Sequence, residues 1–285
     1  MSPAPMSPDR PELEKKYRQP RVFGALPGPR NVPLDKRNLP DNMTVVTVAA
    51  SALTDAAALG ELLPPRCRLH GDPVLSVSIA YLRNIGWLAG RGYNIVSVDF
   101  PIVFDGADGR LTGKFTPVLW ESLADPILTG REELGFSKLY AQIPEPIILG
   151  NAYRASASWE GFRFFELEAS DLAEAALKLD APALDGSFHY RFMPKVGAQG
   201  EADAEYMAFI PGANSGPGAN GVTKRLAGKG SFRFLRARWE DVPLQYPIIN
   251  ALAELPLHEF RGASVTFSTA MGSIGGGLGG ARPVR

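Results

Sequence analysis

The side chain with most chemistry to offer in this sequence is the amine of Lys138. It stands in TGREELGFSKLYAQIPEP (129–146), among Leu134, Phe136, Leu139 and Tyr140 rather than in a charged run. A lysine in such company either lays its stem along apolar surface with its head in water, or is buried for use. Burial disfavours the ammonium and lowers its pKa, leaving free amine near neutral pH to attack a ketone. The protonated imine so formed is an electron sink. A carbanion developing beside the former carbonyl is delocalised as an enamine, which eases loss of carbon dioxide and the making or breaking of the adjacent carbon–carbon bond. The residues alone leave a surface lysine and a Schiff-base lysine both open.

Other reactive types are arranged less suggestively. His70, His189 and His258 are far apart and have no HxH or HExxH spacing, so no metal site is expected. Cys67 lies in a basic loop, PPRCRLH, which favours a thiolate, but has no identifiable histidine partner. No serine sits in a GxSxG elbow. The run GGGLGG (275–280) lacks the Lys and Ser/Thr of a phosphate loop and has no helix after it. None of these motifs asks for a cofactor, and none is expected.

The elements that must position Lys138 follow from pattern. Residues 44–50, 74–82, 93–104 and 115–120 are rich in β-branched and aromatic types and read as strands, with Asp-Gly turns between the last two. Residues 53–63 read as a short helix with Thr54 as N-cap, stopped by Pro64-Pro65. Residues 127–133 have the length of a helical turn or two. Further on, 154–169 reads as strand, Gly161 turn and strand, 170–179 as a helix capped by Ser170, 188–193, 206–210 and 231–239 as strands, and 247–255 as a helix opened by Pro247. GANSGPGANG (212–221) reads as a flexible loop. The expected fold is α+β: a mainly antiparallel β-sheet with a barrel-like core enclosing a pocket, and a few short helices. A proline-rich arm occupies 1–42, one domain 43–271, and a glycine-rich flexible tail 272–285.

With 285 residues, 45% of them hydrophobic, the chain can bury a substantial core. Thirty basic residues balance thirty acidic ones, which removes the electrostatic argument for nucleic acid or an anionic membrane. The expected partner is a small molecule or another protein chain. One cysteine forms no internal disulfide, the first twenty residues lack the apolar stretch of a signal peptide, and no run approaches the ~20 apolar residues of a membrane span. A cytoplasmic protein is expected.

The segment GREELGFSKLYAQIPEP resembles the active-site stretch of the acetoacetate decarboxylase family, in which a GRE triplet precedes, by a short aromatic-containing spacer, the lysine that forms the Schiff base. Gly130, Arg131 and Glu132 match the triplet and Lys138 falls at the nucleophile. The resemblance continues in TVVTVAASALTDAAALGELLPP, FHYRFMPKV and RARWEDVPLQYPIINALAELP. It implies a lyase acting on a small keto acid or other carbonyl substrate, and a homo-oligomer, with the proline-rich arm packed on a neighbouring subunit. It also implies supporting roles: Arg131 for a substrate carboxylate, Glu132 for proton movement, Tyr93 where the family has a carboxylate, and Trp120 and Tyr140 as pocket wall. Each has a plainer alternative: for Arg131 an ion pair with Glu132, Glu133 or another carboxylate, for Glu132 a buried ion pair with Arg131, and for the aromatics a core or surface position.

Departures from the family pattern are specific. The decarboxylase follows its nucleophile with a second lysine, where this chain has Leu139, so burial is left as the main cause of a lowered amine pKa. The family's early arginine and two acids fall near Thr44, at Ser78 and around residues 93–95, and none carries the expected charge. Family members that vary these positions resemble aldolase-dehydratases, which join pyruvate to an aldehyde through the same imine. Aldol or dehydration chemistry is therefore expected beside decarboxylation. The competing expectation is a catalytically silent relative that binds a hydrophobic carbonyl ligand or serves as an assembly partner.

Overall fold

Alternation decides which side of each strand is buried. In β3 (Val74–Ile85) and β4 (Arg91–Gly106), Leu75, Val77, Ile79, Val96, Val98 and Phe100 are at most 1% exposed, while Ser76, Ser78, Ser97 and Asp99 between them stay partly accessible. β1 (Thr44–Leu53) pairs with β3, β3 with β4, and β4 with β5 (Gly109–Glu121), all antiparallel. The computed structural model describes residues 32–107, 109–177, 184–212, 221–269 and 280–284.

On the far side of β1 the ladder continues through β13 (Glu259–Thr269), β12 (Val222–Phe234), β9 (Phe162–Glu174), β8 (Ala152–Trp159) and β7 (Ile147–Leu149). On the other side β10 (Gly186–Pro194) runs parallel to β5 for three residues and carries β11 (Ala202–Pro211) and β14 (Arg282–Val284). Two short strands lie off this path: β2 (Cys67–Leu69) pairs with β4, and β6 (Lys138–Tyr140) runs parallel to β5.

The sheet curls so that its apolar faces meet. Trp120 of β5 packs 5.2 Å from Phe164 and 6.3 Å from Phe234, on strands several places away in the ladder. The sheet does not close into a barrel. The gap between β5 and β8 is spanned by β6 and by a single bridge between Gln142 and Ser158. Among the described residues three short α-helices complete the fold: α1 (Ala56–Gly60), α2 (Ala124–Thr129) and α3 (Tyr246–Ala253).

The departures from the sequence reading have local causes. Residues 170–174, expected to open a helix, extend β9. Their good helix formers are outvoted by the ladder to β12, which β9 follows with Asp171 in a left-handed kink at φ 52°. Asp55, not Thr54, caps α1, its carboxylate accepting from the amides of Ala57 and Ala58 at 2.9 Å, because Leu53 still belongs to β1. In the glycine-rich tail, Arg282–Val284 pair with β11 and bury Val284. Most of the proline-rich arm, the loop 213–220 and residues 270–279 lie outside the described residues. Among the described residues no helix is long and apolar enough to cross a membrane.

Candidate active site

Lys138 enters the site through register. β6 pairs in parallel with β5, matching Leu119 with Lys138, Trp120 with Leu139 and Glu121 with Tyr140. Paired residues share a face, so Lys138 lies with Leu119 and Glu121, on the side of the sheet away from the Trp120 core. The chain reaches β6 through α2 and a wide five-residue turn, Gly130–Leu134, which ends at Gly135 with φ 77°. That left-handed conformation favours glycine.

Lys138 is 7% exposed. Its Nζ lies 2.7 Å from Glu121 Oε1, donates to the Pro126 carbonyl at 3.0 Å, and sits 5.3 Å from the Phe136 ring centre. Glu121 is fully buried, and its contact with Lys138 is an ion pair in close approach. Burial pushes the Glu121 carboxyl above its ordinary range, against the pull of the Lys138 charge. Tyr93 stands on the same face of β4, two residues before Ile95, which pairs with Glu121. Burial, and then the Glu121 charge, push its hydroxyl up and keep it protonated.

Gly130 makes room for the amine. A Cβ there would come within 2.4 Å of Lys138 Cε and 2.6 Å of Nζ. The Gly130→Ala backbone is unstrained, since φ is −67°, but the methyl pushes the ammonium off Glu121. On the expectation that Lys138 forms an imine, Gly130→Ala is predicted to fold and to trap a borohydride adduct at least about tenfold more slowly, compared at matched circular dichroism.

The other expected site residues are dispersed. Arg131 donates from Nη1 to the Lys138 carbonyl at 2.9 Å and so holds the backbone of the lysine strand. Glu132 lies on the wide turn, where its carbonyl and that of Arg131 accept from Arg191 at 2.8 and 3.1 Å. Trp120 is wholly buried in the core and donates from Nε1 to Gln245 at 2.7 Å. Tyr140 shares the Glu121 register but is 42% exposed. Tyr93 and Lys138 are thus brought together around Glu121, which the sequence reading missed. Its signal was the acid at the end of FTPVLWE, in phase with Leu119 on a strand whose reading stopped one residue before its end.

His189 completes the surroundings. It is 4% exposed, its ring stacks on Phe136 at 3.9 Å, and burial with the Lys138 charge pushes its pKa down to about 3, so the imidazole is neutral. A groove of about 510 Å³, lined by Pro117, Val118, Arg131, Phe136, Leu139 and Ile248 among others, adjoins the lysine strand and does not include Lys138 or Glu121. Among the described residues no cluster of His, Cys, Asp and Glu could hold a metal ion. Burial, and then Asp105, push the Cys67 thiol up to about 12. That leaves roughly a thousandfold less thiolate at pH 8 than in an unfolded chain. Alkylation by iodoacetamide is expected to be correspondingly slow until denaturant is added, as read by intact mass.

The solved structures that share this fold include three enzymes. They are the enduracididine biosynthesis enzyme MppR complexed with the condensation product of pyruvate and imidazole 4-carboxaldehyde (18% identity, TM-score 0.58, covering 86% of this chain and 88% of that one), an acetoacetate decarboxylase-like enzyme from Sphingomonas wittichii RW1 (15%, 0.58, 83% and 91%), and acetoacetate decarboxylase from Legionella pneumophila (14%, 0.57, 85% and 88%). No curated protein matches the sequence. The model of the acetoacetate decarboxylase family matches residues 27–260, which include β1 to β12, the wide turn and the lysine described above. On that match, the chain belongs to the acetoacetate decarboxylase family.

Proposed function

We propose that this protein is a Schiff-base-forming lyase in which Lys138 attacks the ketone of a small keto acid and Glu121 moves the protons. The observation that carries this reading is the buried pair of Lys138 and Glu121, 2.7 Å apart. When the proton of the pair resides on Glu121, the amine is free to attack the carbonyl carbon. Glu121 then gives that proton to the carbonyl oxygen, takes one from the attacking nitrogen and passes it to the same oxygen, water leaves, and a protonated imine remains. The electrons of the bond to a carboxylate β to the imine carbon, or of a C–H bond next to it, flow into the imine and give an enamine. Protonation at carbon completes a decarboxylation; attack of the enamine on an aldehyde makes a carbon–carbon bond. Water and the reverse proton transfers release the product from Lys138.

Tyr93 suits hydrogen-bond donation to the departing oxygen, because its hydroxyl stays protonated. Arg131 acts as a positioning residue through the Lys138 carbonyl, and the acid role expected of Glu132 passes to Glu121. The bound molecule in MppR, a condensation product of pyruvate and an aldehyde, supports the aldol branch as well as the decarboxylation the family name gives. Incubation with pyruvate, and separately acetoacetate, followed by borohydride and peptide mass, tests the reading. An adduct on the Lys138 peptide is expected; its absence with both keto acids, at concentrations where they bind, transfers the protein to the silent relatives.

The homo-oligomer is likewise proposed. The edge strand β7 leaves Ile147, Ile148 and Leu149 70%, 55% and 81% exposed, an apolar edge of the kind that chains cover by association. Sedimentation is expected to give a multiple of the chain mass, and a monomer at micromolar concentration refutes it.

A further inference from the structure

The face of the sheet that carries Lys138 has an unusual composition. A sheet face turned to open solvent normally bears long charged side chains, but the middle of this one is built of short hydroxyls and one carboxyl. Register lines them up: Ser76 pairs with Asp99, and Ser78 with Ser97. Across the irregularity in the β4–β5 ladder, Thr116 Oγ1 donates to Asp99 Oδ1, and Ser97 Oγ donates to Asp99 Oδ2 at 2.7 Å. His189 follows Phe188, which pairs with Phe115, so it stands beside Thr116 on the next strand. The serines and Asp99 remain partly accessible, whereas the residues alternating with them are at most 1% exposed.

Three features connect this band to the lysine. Ser97 and Lys138 occupy one row, both in register with Leu119. Asp99 lies one pleat further along, which at ordinary strand spacings separates its Cα from that of Lys138 by about 12 Å. Phe136 bridges the two, stacked on His189 and lying beside Lys138 Nζ. The band also holds unused capacity for hydrogen bonding. His189 Nδ1 is buried with no partner in the described structure, and each Asp99 oxygen has a lone pair beyond the one its hydroxyl donor occupies. Orphaned polar groups of this kind call for a ligand or water.

We propose that this band is the distal subsite of the Lys138 site, and that it takes keto acids whose carbon chain carries hydroxyl groups, Asp99 accepting a hydrogen bond from one of them. The proposal rests on the Schiff-base reading for the other end of the substrate. Burial raises the Asp99 carboxyl, which suits a hydroxyl partner better than a long-lived ion pair. Ser97 and Thr116 hold the carboxyl in place, and the serines beside it are short and partly accessible.

A matched pair of probes tests it: 2-keto-3-deoxygluconate and 2-ketohexanoate, both six-carbon keto acids, the first with hydroxyls on its last three carbons and the second with none. Calorimetric affinities are compared for the full chain and for Asp99→Ala, with Asp99→Asn in its place should the alanine variant not fold. The hydroxylated acid is expected to bind at least about tenfold more tightly to the unaltered protein, and the ratio to fall toward one in the variant. No binding of the hydroxylated acid, a ratio near one in the unaltered protein, or an undiminished ratio in the variant overturns the subsite. Borohydride trapping on the same samples separates the two ideas. A tenfold ratio without any adduct removes the imine and leaves the subsite; an adduct with a ratio of one does the reverse.

Discussion

Lys138→Met is expected to abolish the borohydride adduct and to lower turnover of a keto acid by about ten-thousandfold, because removal of a covalent nucleophile leaves only binding and polarisation. The substitution also changes stability in a way that identifies the pair. Glu121 is fully buried, and without the ammonium 2.7 Å away its charge has no partner. Loss of one member of a buried pair costs about 3–5 kcal/mol while the other stays ionised. Burial already raises the Glu121 carboxyl, and the Lys138 charge is the largest influence opposing that rise. A carboxyl raised on folding contributes stability below its ordinary value, 4.5, and that contribution is lost as pH climbs through the raised value. Thermal melts of Lys138→Met are therefore expected to approach those of the unaltered protein near pH 5 and to fall behind them at pH 8. A pH-independent difference would show that Glu121 does not feel the lysine.

The second large effect is expected from Glu121→Gln. The amide keeps the size and offers an acceptor to the lysine, but it neither takes nor gives a proton. Loss of a positioned general acid–base typically costs 10²–10⁴ in rate. Exchange of the pyruvate methyl protons for deuterium, followed by NMR, reads the step at carbon directly and is expected to slow by about that factor. Binding of pyruvate should change far less, so the loss falls on kcat. Glu132→Gln, on the wide turn, provides the contrast: if it slows exchange as much as Glu121→Gln, the assignment of the proton-moving carboxyl is wrong.

The lysine was legible in the sequence because its neighbours are apolar and because a triplet at fixed spacing precedes it. Its carboxylate partner was not. Glu121 lies seventeen positions earlier, and only the parallel register of β6 on β5 brings the two together. Parallel contacts of three residues leave no periodic mark on a sequence. The strands of the first half were read well because β-branched runs there alternate with turn residues. Residues 170–174 were misread because Leu, Ala and Glu favour a helix locally, and the partner strand that overrules them begins near residue 222. Trp120 was a poor choice for a pocket wall on the grounds of alternation: a residue flanked by Leu119 and Glu121 must face the other way. Asp99 escaped notice and His189 was set aside for want of metal-ligand spacing, because a single acid or histidine in a strand carries no motif, and only the sheet shows them side by side.

The pairing of β1 with β13 has a consequence for how the molecule is made. Thr44 and Thr269, opposite one another in that ladder, are separated by more than two hundred residues. Chains emerge from the ribosome at about 5–20 residues per second, so β1 waits ten seconds or more for its second neighbour. The groups around Lys138 behave differently. β3, β4, β5 and β6 follow one another within residues 74–140 and pair in that order, so Tyr93, Glu121, Phe136 and Lys138 come from one unbroken stretch of chain, which His189 joins later from β10. The reactive centre is thus local in contact order and the closure of the sheet is remote, which makes the unpaired edge of β1 the surface a nascent chain has to shield.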